Sequence, residues 1–129
     1  MKLLLENWRQ YLHDPAEAVI EALRDLGSEV DGQTVYGPSP LKTVALSTQH
    51  DGVIWIHWIE GEQAGAGAWE YLREIISQAA PEAPIALEAN YVAAPFWLKQ
   101  GFDEITVDEA EEIYPNIEPD NRFFRKEKA

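Results

Sequence analysis

Residues 53–59, VIWIHWI, constrain the fold more than any other segment of this chain. Their β-branched and aromatic side chains favour an extended strand. Such a strand would carry apolar side chains on both faces, so we expect a central strand covered on both sides. One face would present Trp55, His57 and Ile59, and the other Ile54, Ile56 and Trp58.

A helix and a second buried strand follow this central strand. Residues 68–80, AWEYLREIISQAA, have the apolar spacing of a helix, and residues 85–89, IALEA, form a short apolar run. A strand, a helix and a strand in this order predict a right-handed crossover with the two strands parallel. Because the chain has 129 residues, we expect a single domain over residues 1–129.

Turn and capping signals delimit the other elements. Asp14 followed by Pro15 predicts the start of a helix over residues 15–26, since Asp is a good N-cap and proline suits the first helical position. Asp51-Gly52 predicts a hairpin turn before the central strand. The remaining predicted elements are a helix over residues 2–13, short strands around residues 33–36, strands over residues 41–48 and 121–126, and an acidic segment over residues 103–120. The acidic segment has two readings, a solvated loop with one helical turn or a lip that binds a cationic acceptor group.

The segment between the central strand and its helix, EQAGAG over residues 62–67, is rich in glycine. Glycine lets the backbone approach a ligand closely, and the first N–H groups of a helix favour negative charge. Gly65 and Gly67 therefore mark a candidate phosphate-binding turn. The alternative reading is an ordinary connection that only ends the strand and begins the helix.

Residues 90–102, NYVAAPFWLKQGF, predict a short amphipathic helix with an apolar face that includes Phe96 and Trp97. Gly101 follows where a helix end favours a left-handed residue. The spacing of Asn90, Trp97 and the Gly101-Phe102 pair resembles the last helix of the GNAT superfamily of N-acetyltransferases, where Tyr is usual at the position of Trp97. The glycine turn resembles the pyrophosphate loop of the same superfamily, in which Arg or Gln precedes two small residues.

The resemblance implies an α/β fold, in the broader sense α+β. This is a mixed, mostly antiparallel sheet flanked by helices, with a parallel strand pair that splays apart. It also implies acetyl-coenzyme A as the donor, held by the backbone of residues 56–59 and by the glycine turn. Two phasings of the turn are open, one with Glu62 and one with Gln63 in the place of Arg or Gln. The implied cofactor-binding residues are Trp58, Ile59, Gln63, Gly65, Ala66, Gly67, Ala68, Asn90 and Trp97.

Candidate bases for deprotonating an acceptor amine are Glu60 and His57. Glu60 ends the central strand, where the superfamily often places a carboxylate, although a solvated strand-end residue would look the same. His57 has a suitable pKa for a base but could equally be a core or groove-lining histidine. Trp97 replaces the usual Tyr acid, and an indole N–H is a donor but not a usable acid.

The chain carries 10 basic and 23 acidic residues, a net charge of −13. This charge disfavours binding to nucleic acid and to anionic membrane surfaces, and it favours a cationic partner such as a small-molecule or peptide amine. Cysteine is absent, which fits a reducing compartment, and we expect a cytoplasmic protein. The three histidines lack metal-ligand spacing, so no metal site is predicted.

The leading function is an acyl-coenzyme A-dependent N-acyltransferase that moves an acetyl group to an amine. The alternative is a GNAT-fold protein that has lost catalysis and acts by binding, such as a phage accessory protein that engages a host factor. The GAGA turn and the compact length also resemble short phage-encoded proteins of this kind. An acidic DNA mimic is a third reading, and a homodimer paired through a strand with Phe123 and Phe124 is open.

Overall fold

A computed structural model describes residues 14–63 and 67–129. Among these residues, three α-helices occupy the predicted helical segments, with α2 beginning one residue earlier than predicted: α1 (Pro15–Asp25), α2 (Gly67–Ala79) and α3 (Ala94–Lys99). The first helix begins as the sequence predicts, because the Asp14 carboxylate accepts a hydrogen bond from the Glu17 N–H at 3.1 Å. The helix predicted over residues 2–13 lies outside the described residues.

Within residues 14–63 and 67–129, seven strands form one sheet with the order β1-β2-β3-β4-β5-β7-β6. All neighbouring strands pair antiparallel except β4 and β5, which are parallel as predicted. The strands are β1 (Glu29–Asp31), β2 (Thr34–Tyr36), β3 (Leu41–Thr48), β4 (Ile54–Gly61), β5 (Ile85–Ala89), β6 (Asp103–Ile105) and β7 (Arg122–Lys126). The mixed, mostly antiparallel sheet flanked by helices that the sequence predicts is confirmed.

Apolar side chains cover both faces of the sheet, as expected for a chain with a central buried strand. The larger core packs α1, α2 and α3 against one face and includes Ile54 and Ile56 of β4. The smaller core lies on the other face and contains Trp55, together with Ile113 and Phe123. None of the helices in residues 14–63 and 67–129 combines the length and apolar character that crossing a bilayer requires.

The acidic segment 103–120 is more ordered than the predicted loop. It contains β6 and a fourth helix, α4 (Val107–Ile113). A capping box starts this helix, since the Thr106 hydroxyl accepts from the Glu109 N–H and the Glu109 carboxylate accepts from the Thr106 N–H. Ala110 and Ile113 of this helix are buried, so the helix is amphipathic although the segment is highly charged.

Two other predictions about strands need correction. Strand β7 lies between β5 and β6, and both Phe123 and Phe124 are buried, so they do not offer an exposed strand to a second subunit. The predicted alternation of β4 also fails at its far end, because Ile59 packs against the larger core with Ile54 and Ile56. The physical reason is a bulge in β4, described next.

Candidate functional site

The candidate site lies where β4 and β5 separate. Their parallel pairing ends at Ile56 and Leu87, after only three residue pairs. Beyond that point β4 continues to Gly61 against β3, while β5 continues to Ala89 against β7. Each strand is therefore held by its outer neighbour, and an opening forms between them.

A bulge in β4 coincides with this separation. Leu46 of β3 lies opposite Ile56 and Ala45 lies opposite Trp58, which leaves His57 as an additional residue without a partner. Such a bulge bends a strand, increases its twist and re-aims side chains. It explains both why β4 leaves β5 here and why Ile59 returns to the face of Ile56.

The opening is a cavity of about 460 Å³, within the usual size range of small-molecule sites. Its wall is formed by the separated ends of β4 and β5, the start of α2, and α3 with the turn before it. The lining residues are Ile56, His57, Trp58, Ile59, Gly61, Ala68, Trp69, Leu87, Glu88, Ala89, Asn90, Ala93, Phe96 and Trp97. The cavity thus has an apolar wall from the helices and polar side chains from the two strands.

Most of the cofactor-binding residues predicted from the sequence meet at this cavity. Those that line it are Trp58, Ile59, Ala68, Asn90 and Trp97, together with the candidate base His57. Gln63 and Gly67 are exposed and lie outside the lining. Gly65 and Ala66 lie outside the described residues.

The strand and helix that flank the glycine turn approach each other closely. A Cβ on Gly61 would lie 3.0 Å from the Ala68 Cβ. The Glu62 N–H donates to the Pro40 carbonyl oxygen at 3.1 Å, and the Glu62 carboxylate accepts from the Ser39 hydroxyl at 2.8 Å. Glu62 is therefore tied to the loop before β3 by both its backbone and its side chain.

Aromatic rings form the helical wall of the cavity. Trp97 packs edge-on against Trp69, Phe96 and Phe102, with ring centroids 5.5, 4.9 and 5.4 Å away. The Trp69 indole N–H is fully buried and has no hydrogen-bond acceptor within residues 14–63 and 67–129. Trp97 therefore serves as a packed wall of the cavity, and the Trp69 donor remains unsatisfied by the described residues.

Asn90 organises the turn that leads into α3. Its side-chain oxygen accepts from the Ala93 N–H at 2.9 Å, and its backbone carbonyl accepts from the Ala94 N–H at 3.1 Å. Helix α3 begins at Ala94, later than the start suggested by the sequence, because residues 91–93 form a turn. The predicted capping role of Asn90 thus applies to the turn before the helix.

His57 sits on the polar side of the cavity and is held by its neighbours. Its Nε2 lies 2.7 Å from the Ser47 hydroxyl oxygen, which also accepts from the Gln49 amide at 2.7 Å. The ring packs edge-on against Tyr114 at 5.1 Å. Partial desolvation lowers the pKa of His57 below its usual value, although the charge of Glu88 acts in the opposite direction. The imidazole is therefore neutral near pH 7 and can accept a proton.

The two carboxylates on the separating strands differ in position. Glu60, the other candidate base, lies outside the cavity lining, and its carboxylate is 3.4 Å from the Lys42 Nζ. Glu88 lines the cavity, and its Oε2 accepts from the Glu118 N–H at 3.2 Å and the Asn121 side-chain amide at 3.0 Å. Sequence reasoning missed Glu88, although a charged residue inside the apolar run IALEA was a usable signal.

The architecture is similar to that of a known group of enzymes. The crystal structure of an acetyltransferase of the GNAT family from Staphylococcus aureus Mu50 matches with a TM-score of 0.53 and 13% sequence identity. The match covers 92% of this chain and 93% of that chain. No protein-family model matches the sequence, and no curated protein matches it significantly. The structural likeness shows that this chain has the GNAT acetyltransferase fold.

Proposed function

We propose that this protein is an acyl-coenzyme A-dependent N-acyltransferase that uses acetyl-coenzyme A as the donor and an amine as the acceptor. The observation that carries the proposal is the cavity between the separated ends of β4 and β5. In a GNAT fold this opening joins the two faces of the sheet, so a donor and an acceptor can meet between the strands.

The described residues fit the pantetheine arm of such a donor. Past Ile56, the edge of β4 that faces β5 has no strand partner among the described residues, so backbone groups of residues 57–59 are available to amide groups of a ligand. The Trp69 ring contributes to the cavity wall. Phe96 and Trp97 supply apolar surface beside it.

The pyrophosphate would lie at the start of α2. This helix has 13 residues, and the first N–H groups of a helix and the positive end of its dipole favour an anion. Gln63, Gly65, Ala66, Gly67 and Ala68 are the proposed partners, through their backbone groups. The Glu62 carboxylate keeps its negative charge, and its hydrogen bond from the Ser39 hydroxyl holds it against the loop before β3.

Bound acetyl-coenzyme A supplies a thioester whose acyl carbon is attacked by the amine, with the thiolate as leaving group. His57 takes the proton that the amine loses as its nitrogen bonds to that carbon. In the tautomer with its proton on Nε2, His57 donates to Ser47 and keeps a free lone pair on Nδ1. Glu60 is the weaker candidate, since Lys42 lies beside it and it is outside the cavity lining.

Calorimetric titration with acetyl-coenzyme A tests the donor site. We expect saturable binding by the wild-type protein and by Val92→Phe, which alters a side chain that is 89% exposed and outside the cavity. Ala93→Phe, at the neighbouring cavity-lining position, should abolish binding by filling the cavity. An absence of binding by folded wild-type protein at millimolar ligand would refute the proposal.

Release of free coenzyme A thiol over a panel of amines then tests catalysis, with His57→Gln as the variant that should lose turnover. Binding without turnover of any amine would favour the second candidate, a GNAT-fold protein that binds acyl-coenzyme A without catalysis. The observation behind that candidate is Trp97, which is buried in an aromatic cluster where the superfamily usually carries its Tyr acid.

A further inference from the structure

We infer that Glu88 selects the acceptor, and that the acceptor carries a primary alkylamine which this carboxylate binds in its protonated form. The bound ammonium gives one proton to water, and the neutral nitrogen that results attacks the thioester carbon, with the second proton going to His57. The inference rests on the proposed function, since it concerns the second substrate of the same cavity. It names a substrate class and a specificity-determining residue.

Glu88 lies at the right place for an acceptor contact. Glu88 follows Leu87, where the pairing of β4 with β5 ends, and it lies opposite Phe123 of β7. Phe123 belongs to the smaller core, whereas Leu87 and Ala89 belong to the larger one. Glu88 therefore faces the side of the sheet opposite to α2 and α3, the same side as His57 and Tyr114.

The Glu88 carboxylate is already fixed in position. Its Oε2 accepts two hydrogen bonds, from the Glu118 backbone and the Asn121 side chain, both in the segment between α4 and β7. Residues 14–63 and 67–129 provide no hydrogen bond to the other oxygen, Oε1. One oxygen thus anchors the side chain, and the other is available to a ligand donor.

The charge of Glu88 has no protein partner in the part of the chain that the structure describes. The cavity lining contains no Lys or Arg, and the ion pairs among the described residues use other carboxylates. A half-buried carboxylate in an apolar-walled cavity gains most from a ligand that brings both a positive charge and N–H donors. A primary ammonium group provides both, and the half-exposed Trp58 ring at the same cavity can contact its alkyl part.

Glu88→Gln is the decisive variant, because a glutamine oxygen can still accept from Glu118 and Asn121 while the charge is lost. Asp120→Asn is the matched control, since it removes one charge from the exposed acidic segment nearby. Benzylamine and aniline are the probes, as they are similar in shape, but near neutral pH only benzylamine is a cation. Binding is measured by NMR titration without donor, and turnover with acetyl-coenzyme A.

We expect wild-type protein and Asp120→Asn to bind benzylamine in preference to aniline. Glu88→Gln should bind benzylamine roughly 10- to 100-fold more weakly, as expected for the loss of a hydrogen bond to a charged group. Its affinity for acetyl-coenzyme A should be unchanged. In turnover the loss should appear as a higher KM for benzylamine rather than as a lower kcat.

Equal benzylamine binding by wild type and Glu88→Gln would overturn the inference, as would an equal loss in Asp120→Asn or no preference of the wild type for benzylamine over aniline. These outcomes are separable from failure of the proposed function. Glu88-dependent amine binding without acetyl-coenzyme A binding would leave the Glu88 site standing and refute the transferase. Acetyl transfer that is unchanged in Glu88→Gln would support the transferase and refute the Glu88 site.

Discussion

Replacing Gly61 by alanine should destabilise the protein, whereas the same change at Gly67 should not. Gly61 ends β4 where the strand meets the first turn of α2. An added Cβ would lie 3.0 Å from the Ala68 Cβ and 3.2 Å from the Gln63 carbonyl oxygen. Neither atom is the far end of a flexible side chain, so the helix and the strand would have to move apart.

The size of the effect follows from two opposing terms. Overpacking a tight site costs roughly 1–3 kcal/mol. Removing the extra backbone freedom of glycine from the unfolded chain offsets about 0.4–1 kcal/mol of that cost. The free energy of unfolding of Gly61→Ala should therefore fall by about 1–2 kcal/mol. Among the described residues, the new Cβ at Gly67 would meet only the Pro40 Cβ, at 3.7 Å, so Gly67→Ala should gain about 0.5 kcal/mol.

Equilibrium urea unfolding, followed by tryptophan fluorescence and circular dichroism, measures both variants. For a domain of this size the midpoint of Gly61→Ala should fall by about 0.5–1 M, with an unchanged slope. The midpoint of Gly67→Ala should equal or exceed that of the wild type. Equal midpoints for the two variants, or a less stable Gly67→Ala, would refute the close approach of β4 and α2.

Three further predictions concern the helix caps, the cavity wall and His57. Thr106→Ala, which removes the N-cap of α4, should cost about 1 kcal/mol in urea unfolding, whereas Thr43→Ala is a control outside any cap. Trp97→Ala should cost roughly 3–5 kcal/mol, and a loss below about 1 kcal/mol would contradict its buried packing. The pKa of His57 is lowered in the folded protein, so the unfolded chain binds more protons as the pH falls below 6.5. The contribution of His57 to the free energy of unfolding is therefore present above pH 6.5 and lost as the pH falls. Thermal melts from neutral to acidic pH should show a smaller loss in His57→Gln than in wild type.

The sequence was sufficient for the elements that local patterns encode. The parallel pair β4–β5, the helix after the glycine turn and the start of α1 at Pro15 all follow from apolar runs and from Gly or Pro at their ends. Helix α4 was also encoded, through the Thr106–Glu109 capping box, but its many acids made the segment resemble a solvated loop. Charge on the exposed face of a helix says little about its buried face.

The bulge at His57 could not be read from the sequence, because it exists only as a difference in register between β3 and β4. A strict alternation assigns Ile59 to the face of Trp55, and the one additional residue reverses that assignment. The same limit applies to Glu88 and His57. They lie 31 positions apart in the sequence and face one cavity only because β4 and β5 are neighbours in the sheet.

An acidic protein that is proposed to bind an anionic donor gains when its acidic groups lie away from the donor, and part of its acidic charge lies across the sheet from the proposed donor site. On the face of α2 and α3, the cavity wall is aromatic and aliphatic, and the proposed phosphate site lies at the start of α2. On the other face lie Glu88 and the acidic segment that contains α4. The net charge of −13 favours a cationic acceptor on that side, whereas on the proposed donor side Glu62 precedes α2 and Glu70 lies in its first turn. Raising the ionic strength should therefore weaken the apparent affinity for a cationic amine more than the affinity for acetyl-coenzyme A, and the reverse order would show that the two charges are not separated by the sheet.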